Sequence, residues 1–223
     1  MIQLHHFALS PFCRKVRLVL AEKKLGATLI DEPYWERPSE FLRLNPAGQV
    51  PVLRIDGLVL ADSGAICEYL EETHPEPALL PPRGEAAARA EVRRLTAWFD
   101  DKFNREVTAK LVYERVAKKI ARAGYPDGRA IKEGGKAARF HLGYMGWLLD
   151  QRRWLAGDAL SLADFAAAAH ISCLDYSSDV DWNQNSGVRD WYAKIKSRPA
   201  FRSLLADQVP GFRPARHYAD LDF

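Results

Sequence analysis

Four prolines stand between residues 75 and 82, at positions 75, 77, 81 and 82, and neither a helix nor a strand can run through them. A proline ring fixes φ and removes a backbone N–H, so such a run ends the element before it and leaves an exposed connector. The chain therefore reads as two parts joined by a linker over residues 75–85. With 223 residues in all, each part is large enough for one small core.

Residues 1–74 alternate short apolar runs with helical spacing. Ile2 to Leu4 reads as a strand, Phe12 to Lys24 as a helix with Val16, Val19 and Leu20 on one face, and Ala27 to Asp31 as a second strand. Asn45-Pro46-Ala47-Gly48 is a turn, and Pro51 to Ile55 a third strand. Asp56-Gly57 is a two-residue hairpin signal that returns the chain through Leu58-Val59-Leu60. Asp62 and Ser63 can cap a last helix reaching about Glu72. The predicted order is β-α-β-(α)-β-β-α.

Residues 86–207 are helical by period: one or two long helices over 86–121, another over 131–150, and shorter ones over 186–196 and 199–207. Ser161-Leu162-Ala163-Asp164 has the form of a capping box, in which the serine oxygen accepts from the third N–H and the acid reaches back. The run Phe165 to His170 beyond it is small and apolar, as suits a helix buried on most sides. Residues 208–223 form a tail with two prolines and no helical period.

Composition narrows the function classes. Apolar residues are 48% and charged residues 27%, which excludes wholesale disorder. No run approaches the ~20 apolar residues of a membrane span, so no membrane insertion is expected. The start lacks the basic, then apolar, pattern of an export signal, and Cys13, Cys67 and Cys173 stand too far apart for a disulfide framework. Both point to the cytoplasm. No metal-ligand spacing links these cysteines with the six histidines. The net charge of +3 divides into −3 over residues 1–80 and +6 over 81–223. The basic cluster at 110–139 reads as a solvated helix face, with docking of an acidic partner as the alternative. It carries no nucleic-acid recognition motif.

Several residues can carry chemistry. Ser10, in Ser10-Pro11-Phe12-Cys13, places a hydroxyl at a helix N-terminus, where backbone N–H groups favour a thiolate. It serves equally as the cap of that helix. Cys13 reads either as a reactive thiol or, preferably, as a small buried side chain facing the sheet. Val50-Pro51 opens a strand after a glycine turn. A cis bond there would leave the Val50 N–H and C=O free to pair with a peptide-like ligand, whereas the base rate favours trans. Asp62-Ser63 suits an α-amino acid head, the carboxylate taking the ammonium and the hydroxyl and N–H groups the carboxylate, or else caps the helix alone.

Ser-Pro-Phe-Cys at a strand–helix junction, then Val50-Pro51, then Asp62-Ser63, in that order and succeeded by a linker and a helical half with the Ser161–Asp164 box, resemble the glutathione S-transferase superfamily over residues 1–207. The resemblance implies a fold of α/β plus all-α type: a thioredoxin-like N-terminal domain (1–74) and an all-helical C-terminal domain (86–207). It implies that glutathione, as co-substrate, pairs through its cysteinyl backbone with Val50 beside Pro51. The γ-glutamyl head falls to Asp62 and Ser63, the glycyl end to Gln49, and the sulfur to Ser10. A thiol of pKa ~8.5 is mostly protonated at neutral pH, and one donor plus a helix N-terminus raises the thiolate fraction. Ser10 stands where glutaredoxin-like relatives carry the first cysteine, which disfavours disulfide exchange and leaves Cys13 as the alternative catalytic group. A homodimer is implied by the same resemblance.

Tyr34-Trp35-Glu36-Arg37-Pro38, Trp98 to Phe103, and the end His217-Tyr218-Ala219-Asp220-Leu221-Asp222-Phe223 also resemble the FzlA-type division proteins of alphaproteobacteria, which are glutathione-transferase-like and bind the tubulin-like protein FtsZ. That resemblance implies FtsZ or other division proteins as partners, through Trp35 and the Asp220, Leu221, Asp222 and Phe223 end. An acidic, aromatic chain end after two prolines can act as a linear motif, or Tyr218, Leu221 and Phe223 can pack on the helical domain. Two functions are expected from these residues. One is a glutathione transferase promoting thiolate attack on an electrophile; the other is a non-catalytic adaptor on FtsZ filaments. A groove beside Ser10 that is open favours the first, and one plugged by Trp35 or the tail favours the second.

Overall fold

The computed structural model describes residues 1–221. Its first part is a four-stranded mixed sheet of order β2-β1-β3-β4. β1 (Ile2–His6) runs parallel to β2 (Thr28–Asp31), with α1 (Pro11–Glu22) as the crossover, and antiparallel to β3 (Val52–Ile55). β3 turns back into β4 (Leu58–Ala61) through Asp56 and Gly57, whose φ values of 49° and 86° are those the tight hairpin requires. α2 (Ser39–Leu44) precedes the Asn45 to Gly48 turn, and α3 (Ser63–Thr73) closes the unit. This is the β-α-β-(α)-β-β-α order expected from the alternation of residues 1–74, and the thioredoxin-like arrangement that the resemblance implies.

The proline segment is held from the first part. Lys23, at the end of α1, is buried. Its Nζ donates to the carbonyls of His74 (2.7 Å) and Pro77 (3.0 Å) and pairs with Glu71, which accepts the N–H groups of Leu79 and Leu80. An ammonium with three oxygens around it offsets its own desolvation and clasps the connector.

The second part is all helical. A continuous helical run begins with α4 (Ala86–Ala97) and passes through a π-helical stretch, Trp98–Thr108, into α5 (Ala109–Val112). A second π-helical turn, Tyr113–Ala117, leads to α6 (Lys118–Ile120). Leu95, Phe99, Phe103, Val107 and Leu111 are all buried and recur every fourth residue. In an ideal α-helix that spacing drifts about 40° around the axis per repeat, and wider π turns cancel the drift. The expected one or two helices are thus a single rod whose turns widen to keep five side chains facing the core.

α7 (Gly128–Leu149), α8 (Leu162–Tyr176), α9 (Ser186–Lys196) and the short α10 (Arg202–Leu205) complete the part. α8 is buried over its whole length, and its start is the capping box. Asp164 accepts from the Ser161 N–H and hydroxyl, from the Leu155 N–H and from the Trp191 indole, all within 3.0 Å. Burial pushes its carboxyl up, and these four donors work against that push.

The two parts share an interface between α1 and α8. Arg14, fully buried on α1, donates to the Ala8 carbonyl (2.7 Å), Ser172 (2.8 Å), Tyr218 (3.0 Å) and Asp207 (3.1 Å). Arg17 binds both oxygens of Asp207 at 2.9 Å. The tail packs on the helical part: Tyr218 is fully buried, and the His217 ring lies 2.9 Å from Asp175. Leu221 remains 40% exposed.

Candidate functional site

A groove lies between the sheet unit and the helical rod, as two adjoining cavities of about 690 and 430 Å³ that share the Phe12 ring, Gln49 and Val50. The larger holds Pro51, Asp62, Ser63 and Gly64 on one wall, with Arg93, Thr96 and Asp100 of the rod opposite. The smaller holds Ser10, with Tyr34, Thr108 and Tyr113. Six expected site residues, Ser10, Gln49, Val50, Pro51, Asp62 and Ser63, therefore line one continuous groove.

Local structure explains how each comes to face it. The turn before β3 is set by Asn45, buried, whose side chain accepts from the Ala47 N–H (3.1 Å) and donates to the Gln49 carbonyl (2.8 Å). Gly48 comes next with φ +65°, and a Cβ there would stand 2.8 Å from the Arg37 side chain. The turn directs Gln49 out to solvent and carries Val50 to the groove. The Val50–Pro51 bond is cis. Among the described residues neither the N–H nor the C=O of Val50 has a hydrogen-bond partner.

Asp62 caps α3. Its Oδ1 accepts from Gly64 N–H (2.8 Å) and Ala65 N–H (3.0 Å). Its φ of 74° and ψ of 124° lie outside the regions open to an L-residue at no cost. Strain of this kind costs on the order of 1–3 kcal/mol and persists where its surroundings hold it. Capping and groove-lining are thus the same residue's two roles, and Ser63 beside it is 5% exposed.

Ser10 also does both. Its Oγ accepts from the Cys13 N–H at 3.3 Å as the cap of α1, and it lines the smaller cavity. Cys13 lines neither cavity and is fully buried, in a cluster with Phe41, Val50 and Val52. Burial pushes its thiol up to about 12. That is the opposite of what a nucleophile needs. Cys67 lines the larger cavity but is only 2% exposed, and Cys173 is buried in the interior; burial pushes their thiols up to about 12 and about 11. The folded protein is expected to leave all three thiols unreacted with a disulfide reagent at pH 8 and to expose three after denaturation. A thiol that reacts in seconds in the native state would contradict this burial.

Trp35 sits in a short 3₁₀ turn, Tyr34–Glu36, half-buried, with its ring edge-on to Phe7 (5.6 Å) and Tyr34 (5.4 Å). Neither Trp35 nor any described tail residue lines the groove, which stays open. Asp220 and Leu221 stand at the surface just beyond the Tyr218 anchor, while Asp222 and Phe223 lie outside the described residues. No group of His, Cys, Asp and Glu suited to a metal ion occurs among the described residues.

Sequence reasoning missed Lys15 and Asp100 in the larger cavity and Thr108 in the smaller one, with the fully buried His170 behind them, 2.8 Å from Thr108. The four-residue spacing of the rod was the available signal, because it fixes which face Asp100 and Thr108 occupy.

Residues 4–78 match the model of the glutathione S-transferase N-terminal domain. FtsZ-localized protein A of Caulobacter vibrioides is 50% identical over 99% of this chain and 97% of its own length. The chain belongs to the glutathione S-transferase superfamily. Within that superfamily, a solved glutathione S-transferase from Rhodospirillum rubrum F11 is 54% identical, covers both chains fully and superposes with a TM-score of 0.97. The structure of FzlA from C. crescentus superposes at 0.95 with 50% identity, covering 100% and 99% of the two chains. Rat maleylacetoacetate isomerase is 46% identical, but over 30% of this chain and 33% of its own. No helix of the described residues is long and apolar enough to cross a membrane.

Proposed function

We propose that the protein is a cytoplasmic, FtsZ-associated division factor built on a glutathione transferase scaffold. The observation that carries this reading is the extent of the likeness to FtsZ-localized protein A, at half of all positions from the sheet unit through the tail. The match to the rat isomerase spans 30% of the chain. The helical half and the tail decide what a scaffold of this kind presents to a partner, and fold alone does not decide function.

The anchored tail supports it. Tyr218 and His217 hold the chain end to α8 and α1, so Asp220 and Leu221 are presented from a defined place rather than from a free strand. A preorganised segment loses less entropy on binding. A fluorescent fusion of the chain is expected to coincide with the FtsZ ring in dividing cells, and Asp220→Lys to weaken that coincidence when compared at equal amounts of folded protein. A wild-type fusion spread evenly through the cytoplasm would overturn the reading.

A second reading, glutathione binding and transfer, is favoured by the free Val50 N–H and C=O in an open groove. In it the tripeptide lies as an added strand on Val50, Asp62 and Ser63 take its amino acid head, Gln49 its glycyl end, and Ser10 donates to its sulfur. The protein then supplies position and a positive helix terminus, and glutathione supplies the nucleophile. Calorimetry with millimolar reduced glutathione is expected to give saturable heat that Asp62→Ala diminishes at least tenfold in affinity, since it removes a charged contact of about 1.5–3 kcal/mol. No heat from the wild type would end this second reading and leave the first standing.

A homodimer belongs to both readings. Leu58 and Val59 on β4, and Phe140 and Trp147 on α7, are exposed apolar surface available to it.

A further inference from the structure

The segment Trp98 to Phe103 has no part in either proposed function, yet its first residue enters a closed polar ring. Trp98, Lys102 and Glu106 recur every fourth residue of the π-helical stretch, whose wide turns hold them in one file. α7 lays the fully buried His141 against that file. The Trp98 indole donates to His141 Nδ1 (3.1 Å), and His141 Nε2 lies 2.9 Å from Glu106 Oε2. Lys102 pairs with the other Glu106 oxygen and rests its ammonium 5.6 Å from the centre of the Trp98 ring, which closes the loop. Phe103 (5.1 Å) and Phe140 (5.4 Å) stand edge-on to the imidazole. Glu106 and Lys102 are the charged groups that act on it. Of the other titratable groups nearby, His170 of α8 lies across the Phe103 ring, and the Tyr144 hydroxyl of α7 accepts from Arg94 of α4 (3.0 Å). Trp98 also supports a file of rings that reaches the surface: Tyr144 packs on it (4.7 Å), and the exposed Trp147 stacks on Tyr144 (6.1 Å).

The chemistry of these groups fixes the protons. An indole nitrogen only donates, so His141 Nδ1 is bare. The one ring hydrogen is then on Nε2, directed at the Glu106 carboxylate, which only accepts. A second proton has one place to go, Nδ1, where it meets the indole N–H head-on. The two cannot share that space. The Trp98 bond breaks, while the bond to Glu106 gains a full charge on each side.

We infer that Trp98, His141 and Glu106 form a proton-sensitive latch, in which the neutral His141 ring holds the Trp98 indole and the protonated ring releases it together with the aromatic file it supports. The latch depends on neither of the two proposed functions, because it rests on the contact between the rod and α7 alone. Burial holds the imidazole below its ordinary range and Lys102 adds to this, while Glu106 opposes both. The neutral ring is therefore the resting one at neutral pH. The latch is closed at and above the ordinary imidazole range and opens as the pH falls through a value below it.

Nitrogen–proton NMR of the full chain follows the Trp98 indole N–H directly, with Trp98→Phe to assign the signal. Between about pH 8 and about pH 4 the signal is expected to move from the position of a hydrogen-bonded indole to that of a free one. Its midpoint is expected to coincide with the titration of the His141 ring, below the ordinary imidazole range, while far-UV circular dichroism stays unchanged. His141→Gln, whose amide can accept from the indole and donate to Glu106 at every pH, is expected to abolish the movement. Glu106→Gln keeps an acceptor but removes the charge that favours protonation, so it is expected to carry both midpoints to lower pH. A ring that only fills space would give neither effect. A Trp98 signal that stays in place while His141 titrates, one that moves equally in His141→Gln, or one lost only together with the fold would each overturn the assignment.

Discussion

Replacing Asp207 by alanine is expected to lower stability by about 3–5 kcal/mol, because it strands two buried cations. Arg14 is fully buried and Arg17 is 5% exposed, and three guanidinium nitrogens converge on the Asp207 carboxylate within 3.1 Å. Without it, Arg14 keeps Ser172, Tyr218 and a carbonyl but has no countercharge, and Arg17 keeps only the Ser203 carbonyl. For a chain of this size the loss corresponds to a fall of roughly 6–20 °C in Tm. Asp207→Asn, which keeps an acceptor but not the charge, is expected to fall between. Thermal unfolding followed by circular dichroism measures both. An alanine variant melting within about 2 °C of the wild type would mean that this pair network does not hold α1 to the helical part.

Tyr218 gives the second large effect. Its ring is fully buried against Tyr176, with centroids 5.1 Å apart, and its hydroxyl accepts from Arg14 and donates to the Leu204 carbonyl. Tyr218→Phe removes one hydroxyl between two partners and is expected to cost about 1–3 kcal/mol. Tyr218→Ala adds an unfilled cavity at the α1–α8 junction and is expected to cost about 3–5 kcal/mol. Denaturant midpoints rank the two. The alanine variant also frees the Asp220 end, so it should lose partner binding at temperatures where it is still folded, while the phenylalanine variant should keep it. Equal midpoints for both variants would show that the tail is not packed as described.

The sheet unit is legible in the sequence because its signals are local. Asp56-Gly57 permits one tight hairpin, the apolar runs flanking it must be strands, and Asp62 can only start the next helix. The Ser161–Asp164 box is legible for the same reason. The Val50–Pro51 geometry is not decided by the residues themselves, since a proline after a glycine turn is compatible with both isomers. The helical rod reads as helix but not as π-helix, although Leu95, Phe99, Phe103, Val107 and Leu111 repeat at an interval that a regular α-helix cannot keep on one face. Least legible are contacts distant in sequence. Arg14, Asp207, Thr108 and Asp100 look like ordinary surface residues until α1 and α8 are packed, and nothing in the sequence pairs them with Tyr218 or His170. In the tail Tyr218 packs as the ordered reading requires, Leu221 is 40% exposed, and Asp222 and Phe223 lie outside the described residues.

The groove bears on function differently from its residues. Ser10, Gln49, Val50, Pro51, Asp62 and Ser63 share one opening that neither Trp35 nor the described tail plugs. Taken alone, an open groove favours the enzyme. Yet a groove can be kept by the scaffold it belongs to, because Ser10 and Asp62 also cap α1 and α3. Removing either would cost about 0.5–2 kcal/mol of helix stability whether or not a ligand is ever bound. Intact site residues are therefore weaker support for catalysis than they would be without a structural duty.

Co-sedimentation of the purified chain with GTP-assembled FtsZ, beside a plain glutathione transferase of equal size, decides whether this protein engages the polymer. Saturable recovery of the protein in the polymer pellet is expected, absent for the control and reduced for Asp220→Lys. Recovery no greater than the control's, with FtsZ fully polymerised and the protein folded, would contradict it.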